Sequence, residues 1–308
     1  MSEDWAEEIT ERILKRGLLE SPLGVHGNGS PDRRGDLLLT GQVGICLILG
    51  AADTGKTALA AALTGRLVQS QAVGIIDADI GQSHIGPPTT VGWAVVDRPH
   101  VDFSQLMPGG ISFVGDVTPV GHLLQLTAAI TQCVQQVSKV TDLIIIDTPG
   151  FINGPAASAL WWTVQRILKP KLILAVKHDN ELSDILAGLQ NLGSHIELVK
   201  APPQIPTKSP QARRRYRQDK FKRYFQDSQL YNISLSNVAI QAGRNLRSES
   251  LIGRLVALRD EKGIDLAIGI INDRQDDKDI VVIKAPQFDI SQIRCLVIGD
   301  VSIDIAGE

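Results

Sequence analysis

Gly50-Ala51-Ala52-Asp53-Thr54-Gly55-Lys56-Thr57 fits the pattern G-x-x-x-x-G-K-[ST], and its flanks decide how it is read. Val43-Gly44-Ile45-Cys46-Leu47-Ile48-Leu49 before it is an apolar run of strand length; Thr57 to Val68 after it is rich in Ala and Leu and predicts a helix. A glycine-rich turn between strand and helix suits phosphate, because glycine lets the backbone wrap an anion without a Cβ in the way. The free N–H groups and the positive end of the helix dipole face that anion. In such a P-loop Lys56, at the surface of the sheet edge, reaches the β- and γ-phosphates, and the Thr57 hydroxyl sits on Mg²⁺. The nucleotide-binding set is therefore Gly50, Ala51, Ala52, Asp53, Thr54, Gly55, Lys56, Thr57 and Ala58, with a nucleoside triphosphate and Mg²⁺ as the expected cofactors.

Working outward, Ala72 to Asp77 predicts the next strand, ending in Asp77-Ala78-Asp79-Ile80-Gly81-Gln82, and Ile85-Gly86-Pro87-Pro88 breaks the chain. Ile111 to Gly115 reads as a short strand, Leu123 to Val137 as a helix and Leu143 to Asp147 as a buried strand before Thr148-Pro149-Gly150-Phe151. Pro155–Leu168 helix, Lys171–Val176 strand, Glu181–Leu189 helix and His195–Val199 strand continue the alternation. Short apolar strands alternating with helices imply a mostly parallel sheet covered on both faces. Ligands of such sheets bind beyond the carboxyl ends of the strands. The P-loop, Asp79, Asp147-Thr148-Pro149-Gly150 and Lys177-His178-Asp179 all fall there.

Trp5, Ile9, Ile13 and Leu14 recur at helical spacing among charged residues and predict an amphipathic helix. Ser21 to Gly35, punctuated by Pro and Gly, reads as loop. After Ala201-Pro202-Pro203 the composition changes: Lys208 to Phe225 carries eight Lys or Arg against one acid, Asp219. Beyond Tyr231 the βα alternation stops, and 255–258, 266–271, 280–283 and 295–298 read as strands between turns. The expected fold is α/β: a P-loop NTPase with a smaller β-rich C-terminal domain. Its expected divisions are residues 1–36 (helix and loop), 37–230 (P-loop domain with the basic segment 208–228) and 231–308 (β-rich).

Composition sets the bounds. Of 308 residues, 43% are hydrophobic and 21% charged, enough for an ordinary core. A net charge of −3 excludes a globally basic nucleic-acid binder while leaving room for a local basic patch. Cys46, Cys133 and Cys295 form no C-x-x-C pair, so neither a disulfide framework nor a zinc site is expected, which fits a reducing cytoplasm. No apolar run approaches membrane-spanning length. The six histidines show no ligand spacing.

Chemistry is expected at three places. Asp79, at the end of the strand after the P-loop helix, can hold a Mg²⁺-bound water or take a proton from an attacking hydroxyl; a turn or helix-capping Asp is the plainer role. Asp77 is the neighbouring candidate. Asp147-Thr148-Pro149-Gly150 has the D-T-P-G form common in GTPases, where the Asp supports Mg²⁺. That raises a GTPase switch as a rival. The guanine-reading N-K-x-D is incomplete, however, because Val176-Lys177-His178-Asp179 lacks its Asn. A nucleotide-bound assembly protein without catalysis is a second rival. In the basic segment Arg213, Arg217 and Lys220 fall on one helical stripe, suited to transferring phosphates. Tyr216, Phe221, Tyr224 and Phe225 interleave, suited to packing on the body, and Pro202 to Pro210 reads as a hinge. Phe151 can stack on a base, and at least one of Trp161-Trp162 belongs in the core.

Together these motifs resemble the polynucleotide 5′-hydroxyl kinases, which include the RNA kinase of the mRNA cleavage machinery and the nucleolar pre-rRNA processing kinase. The match runs through the P-loop with Asp53 inside it, Asp79-Ile80-Gly81-Gln82, Gly86-Pro87-Pro88, Phe113-Val114-Gly115, Thr118-Pro119, Asp147-Thr148-Pro149-Gly150-Phe151, Lys208-Ser209-Pro210, Arg213-Arg214, Arg217 and Tyr224-Phe225. The resemblance implies an ATP-dependent kinase acting on the 5′-OH ends of RNA or DNA. It implies Lys56, Asp79, Arg214 and Arg217 as catalytic residues and Thr57, Asp79 and Asp147 around Mg²⁺. Gln82, Thr118, Phe151 and Arg213 are implied at the substrate, and the arginine segment as a lid over ATP. No membrane and no obligate protein partner is expected. The sequence departs from the family pattern in three ways. Asp147-Thr148 stands where better-known members have Asn-Thr, and Phe151 where they have a clamping Trp. Their large N-terminal β domain is not expected in the residues before the P-loop strand.

Overall fold

The computed structural model describes residues 2–19, 43–99, 102–190, 192–203, 205–242, 251–275 and 278–303. The loop expected over Ser21 to Gly35, and the boundary at 36–37, lie outside them. An N-terminal helix α1 (Ser2–Lys15) precedes strand β1 (Gly44–Gly50), helix α2 (Lys56–Leu67), β2 (Val73–Asp77), β3 (Thr90–Val96) and β4 (Gly110–Phe113). Helix α3 (Leu123–Val137), β5 (Leu143–Asp147), α4 (Gly154–Leu168), β6 (Leu172–Lys177), α5 (Ser183–Leu189), β7 (His195–Lys200) and the basic helix α6 (Pro210–Tyr224) follow. The chain then runs through β8 (Gln229–Ser234), β9 (Ala239–Ala242), β10 (Arg254–Arg259), β11 (Asp265–Gln275), β12 (Ile280–Ala285) and β13 (Cys295–Ser302).

The sheet order is β7-β6-β1-β5-β2-β3-β4-β11-β10-β13-β9, with β12 pairing β11 and β8. The five strands from β7 to β2 are parallel neighbours. Strand alternation feeds two cores. Ile45, Leu47 and Leu49 face α3, α4 and α5, while Cys46 and Ile48 face α1 and α2. Trp161 lies wholly in the first core and Trp162 is 38% exposed, so one of the pair is core as expected. Cys46, Cys133 and Cys295 are free thiols. No helix among the described residues is long and apolar enough to cross a membrane.

Two features differ from the sequence reading. β3, not foreseen, runs antiparallel to β2 and hands the sheet to β4, also antiparallel. The C-terminal strands, expected as a separate unit, continue the same sheet, because Asp265 of β11 pairs with Ile111 of β4. The buried Asp265 carboxylate accepts from the Phe113 N–H at 2.7 Å and from Arg259 Nε at 2.7 Å, so both its oxygens are engaged at the junction. Helix α6 is rooted there as well: Phe221 and Phe225 pack with Leu255, Ala257, Ile268 and Ile270, and the Tyr224 hydroxyl accepts from Ile268 N at 3.0 Å.

Candidate active site

Parallel order places the ends of β1, β5, β2, β6 and β7 along one sheet edge. Gly55 caps α2 at φ +89, in the left-handed region that a side chain resists. At Gly150 a Cβ would overlap the backbone of Ala52, so the turn after β5 presses directly on the P-loop. Asp53 also takes positive φ, +57. Thr54 Oγ1 donates to the Ala51 carbonyl at 2.9 Å and Lys56 Nζ to the same oxygen at 2.6 Å. Lys56 is buried, only 7% exposed, which corrects its expected place at the surface. Burial pushes its pKa down, against the pull of Asp147, Asp79 and Asp53. Ala58 follows half-buried in the first turn of α2.

β2 and β5 lie in register with Asp77 opposite Asp147. Asp147 Oδ2 accepts from Thr57 Oγ1 at 2.5 Å, while its Oδ1 is buried with no hydrogen-bond partner. A hydroxyl and an orphaned carboxylate oxygen beside a phosphate loop are a donor set that fits Mg²⁺, which takes hard oxygen ligands. Burial, with Asp77 nearby, pushes Asp147 up to about 6, and burial pushes Asp77 up to about 7. A raised carboxyl contributes stability that is present at low pH and lost as pH rises through its folded pKa. The metal-free protein is therefore expected to melt lower at about pH 8 than at about pH 5.5, and Mg²⁺ to offset part of that loss at the higher pH only. Thermal melts with and without Mg²⁺ check this; Asp147→Asn should flatten the metal-dependent difference.

Asp79 and Asp77 divide their work. Asp77 Oδ1 accepts from Asp79 N at 3.1 Å, and Oδ2 from His84 N at 2.5 Å and Ile85 N at 3.0 Å. It is the internal tie of the 79–86 loop. Asp79 is half-buried; its Oδ1 accepts from Gly81 N and Gln82 N at 3.1 and 2.9 Å. Its Oδ2 takes no hydrogen bond among the described residues. Asp79 is thus a turn residue with one oxygen to spare.

Helix α6 lies across this loop. Ser209 caps it, accepting from Ala212 N at 3.1 Å, with Pro210 in its first turn. Arg213 pairs with Asp53 of the P-loop at 2.5 Å, Tyr216 donates to the Ser83 carbonyl at 2.9 Å and Lys220 to the His84 carbonyl at 2.5 Å. Gln82 Nε2 reaches the Arg213 carbonyl at 3.3 Å, and Gln82 Oε1 is buried without a partner. Arg217 is held below its ordinary pKa by partial burial and by Arg213 and Arg214, with Asp79 pulling the other way. The stripe Arg213, Arg217, Lys220 therefore faces the site; Arg214 lies exposed beside it. The expectation of a freely hinged basic segment needs correction, since its far end is fixed by Phe221, Tyr224 and Phe225. Thr118 lies exposed in a turn, its Oγ1 accepting from Val120 N at 3.3 Å. That turn reaches the Asp79 loop, because a Cβ on Gly81 would meet the Val117 carbonyl at 2.7 Å. Phe151 packs half-buried on the first core, its carbonyl accepting from Trp161 Nε1 at 2.8 Å. Sequence spacing missed the Asp53–Arg213 pair and the meeting of Asp116, His122 and Asp300, whose ligand atoms lie within 4.8 Å of one another.

Residues 50–227 match the family described as mRNA cleavage and polyadenylation factor CLP1 P-loop. The chain belongs to the CLP1 P-loop family. It is 31% identical over 195 residues to the polyribonucleotide 5′-hydroxyl-kinase of Pyrococcus horikoshii, covering 63% of this chain and 53% of that one. It is 33% identical over 196 residues to the namesake of Thermococcus kodakarensis, covering 63% and 55%. The match to the namesake of Methanocaldococcus jannaschii is 30% over 207 residues, covering 67% and 57%. The chain thus spans little more than half the length of these relatives. Two solved structures of Clp1p with Pcf11p share the fold. One has a TM-score of 0.67 at 12% identity, covering 97% of this chain and 79% of that one. The other, describing an extended interface of the two proteins, has a TM-score of 0.66 at 13% identity, covering 84% and 74%. The CLP1 P-loop match includes the P-loop, the Asp79 loop, Asp147 and α6, the elements that converge at the sheet edge.

Proposed function

We propose that the protein is an ATP-dependent polynucleotide 5′-hydroxyl kinase, transferring the γ-phosphate of ATP to the 5′-OH end of RNA or DNA. The observation that carries this reading is α6, which lies over both the P-loop, through Arg213 and Asp53, and the Asp79 loop, through Tyr216 and Lys220. A basic cover over phosphate loop and carboxylate is what phosphoryl transfer requires: positioning and charge stabilisation. The names of the archaeal relatives support the acceptor.

The 5′-oxygen attacks the γ-phosphorus in line; the new P–O bond forms as the bond from γ-phosphorus to the β–γ bridging oxygen breaks. Asp79 Oδ2 takes the hydroxyl proton, and the bridging oxygen leaves with ADP. Lys56 and Arg217 face the redistributing charge. Thr57 and Asp147 would hold Mg²⁺, with Asp79 beside them, and that ion neutralises phosphate charge when bound. Incubation with γ-labelled ATP and 5′-OH oligonucleotides tests the reading. Labelled oligonucleotide supports it; label released only as free phosphate would overturn it in favour of an NTPase switch.

The lid is expected to act on the transition state. Arg217→Ala should lower kcat up to about 10²-fold with little change in KM for ATP. Arg214→Ala, exposed beside the stripe, should do less. If instead kcat holds and KM for the oligonucleotide rises in a salt-dependent way, the arginines dock nucleic acid and do not stabilise transfer.

A further inference from the structure

We propose that Trp5 and Ile205 form the base platform of the nucleotide site, the purine ring stacking on the Trp5 indole beside Gly55. Sheet order gives the direction. β5 and β2 lie on one side of β1, and β6 and β7 on the other. Asp147 and Asp79 stand at the strand ends of the first side, where the proposed reaction puts the γ-phosphate, and α6 contacts the loop after β2 there. The ribose and base therefore leave toward the ends of β6 and β7.

On that side the start of α2 is bare at Gly55, and two apolar groups rest on it. A Cβ at Gly55 would meet Ile205 Cδ1 at 2.9 Å and Trp5 Cζ3 at 3.1 Å. The indole is held in place: its Nε1 donates to the Lys200 carbonyl, at the end of β7, at 2.9 Å. Helix α1, which carries it, is fixed by buried Ile9 and Ile13 and by Arg12 and Arg16 on Glu197 at 3.4 and 2.8 Å. A ring already immobilised loses little freedom when a base stacks on it. Both Trp5 and Ile205 are half-buried where they meet Gly55, so each keeps some accessible surface.

The recognition is of the ring face and not its edge. Val176 stands where a guanine reader needs Asn. The following turn is tied internally, with His178 N and Asp179 N donating to the Glu181 carboxylate at 2.6 and 2.8 Å. Every purine has a π-face, so the platform holds adenine and guanine alike.

The inference rests on nucleotide binding at the P-loop, not on the identity of the phosphate acceptor, and binding measurements keep the two apart. With the full chain, Trp5→Ala is expected to raise Kd for ADP and for GDP about tenfold or more. It should leave inorganic tripolyphosphate, which has no base, unchanged, and Trp5→Phe should recover most of the loss. ADP should alter Trp5 fluorescence where tripolyphosphate does not, and that difference should vanish in Trp5→Phe. In turnover, KM for ATP rises and kcat stays. Unchanged ADP affinity in Trp5→Ala overturns the proposal, and so does an equal loss for ADP and tripolyphosphate, which would leave the indole only pinning α1 to the P-loop. A chain that gives no labelled oligonucleotide but shows the base-dependent loss would sink the kinase reading and keep the platform.

Discussion

Lys56→Ala is expected to lower kcat/KM for ATP at least about 10²–10³-fold, the scale of removing a single charge-stabilising donor from a desolvated site. The structure adds a second component to the loss. Lys56 is buried, and Asp147, Asp79 and Asp53 all act on its charge, with Arg213 also paired to Asp53. Without it those carboxylates face one another with less compensation. Asp147, already pushed up to about 6, rises further, and its hold on a divalent cation weakens. The variant should therefore also lose more stability than wild type between about pH 5.5 and about pH 8. Lys56→Arg should not rescue transfer, because the planar guanidinium does not replace a compact ammonium folded onto the Ala51 carbonyl. Kinetics beside thermal melts at the two pH values separates lost chemistry from lost fold. Wild-type turnover in a folded Lys56→Ala protein would remove the P-loop from the mechanism.

The parts of the fold that were legible in the sequence are those whose burial is either unbroken over a strand length or periodic along a helix. β1, β2 and β5 are buried at every position and bounded by turn residues, and α3 shows its core stripe at Leu126, Ala129, Ile130, Cys133 and Val137. Edge elements give no such signal. β9 is exposed at every position and β8 is buried only at Ile233, so neither carries an apolar rhythm to read. β3 was missed for another reason: it follows Pro87-Pro88 and bears Gly92 at its centre, where the Ile85 backbone crosses too closely for a Cβ. The P-loop could be read because its residues are contiguous. The partners that complete the site could not, because Thr57 and Asp147 are 90 residues apart and Asp53 and Arg213 are 160 apart. Both arginine and aspartate were named as candidates; only the sheet brings them together. The lid aromatics were legible as anchors, since interleaved rings on a basic helix need somewhere apolar to go. That they root in the C-terminal strands could not be read, because that contact depends on a sheet continuing through Asp265.

Asp79→Asn and Asp77→Asn should fail in opposite ways. Asp79 spends one oxygen on the turn and leaves the other without a hydrogen bond among the described residues, the oxygen proposed above as the base. An Asn there retains the carbonyl that accepts from Gly81 N and Gln82 N, so the loop and its thermal stability should persist. The amide cannot take a proton from the attacking 5′-hydroxyl, and kcat should fall about 10²–10⁴-fold with ATP affinity nearly unchanged. Asp77, pushed up to about 7, has the pKa a general base would want, but it is 1% exposed and both its oxygens are taken by the loop. An Asn at 77 must aim an N–H₂ group either at Asp79 N or at His84 N and Ile85 N, setting donor against donor. Buried groups left unpaired cost about 1–3 kcal/mol each. Asp77→Asn should therefore melt lower and lose activity mainly by loosening the loop that presents Asp79. Melting temperature and kcat measured on both variants give a crossed pattern: stable and slow for Asp79→Asn, unstable and less impaired per folded molecule for Asp77→Asn. The reverse pattern would move the proton transfer to Asp77 and leave Asp79 as the turn residue alone.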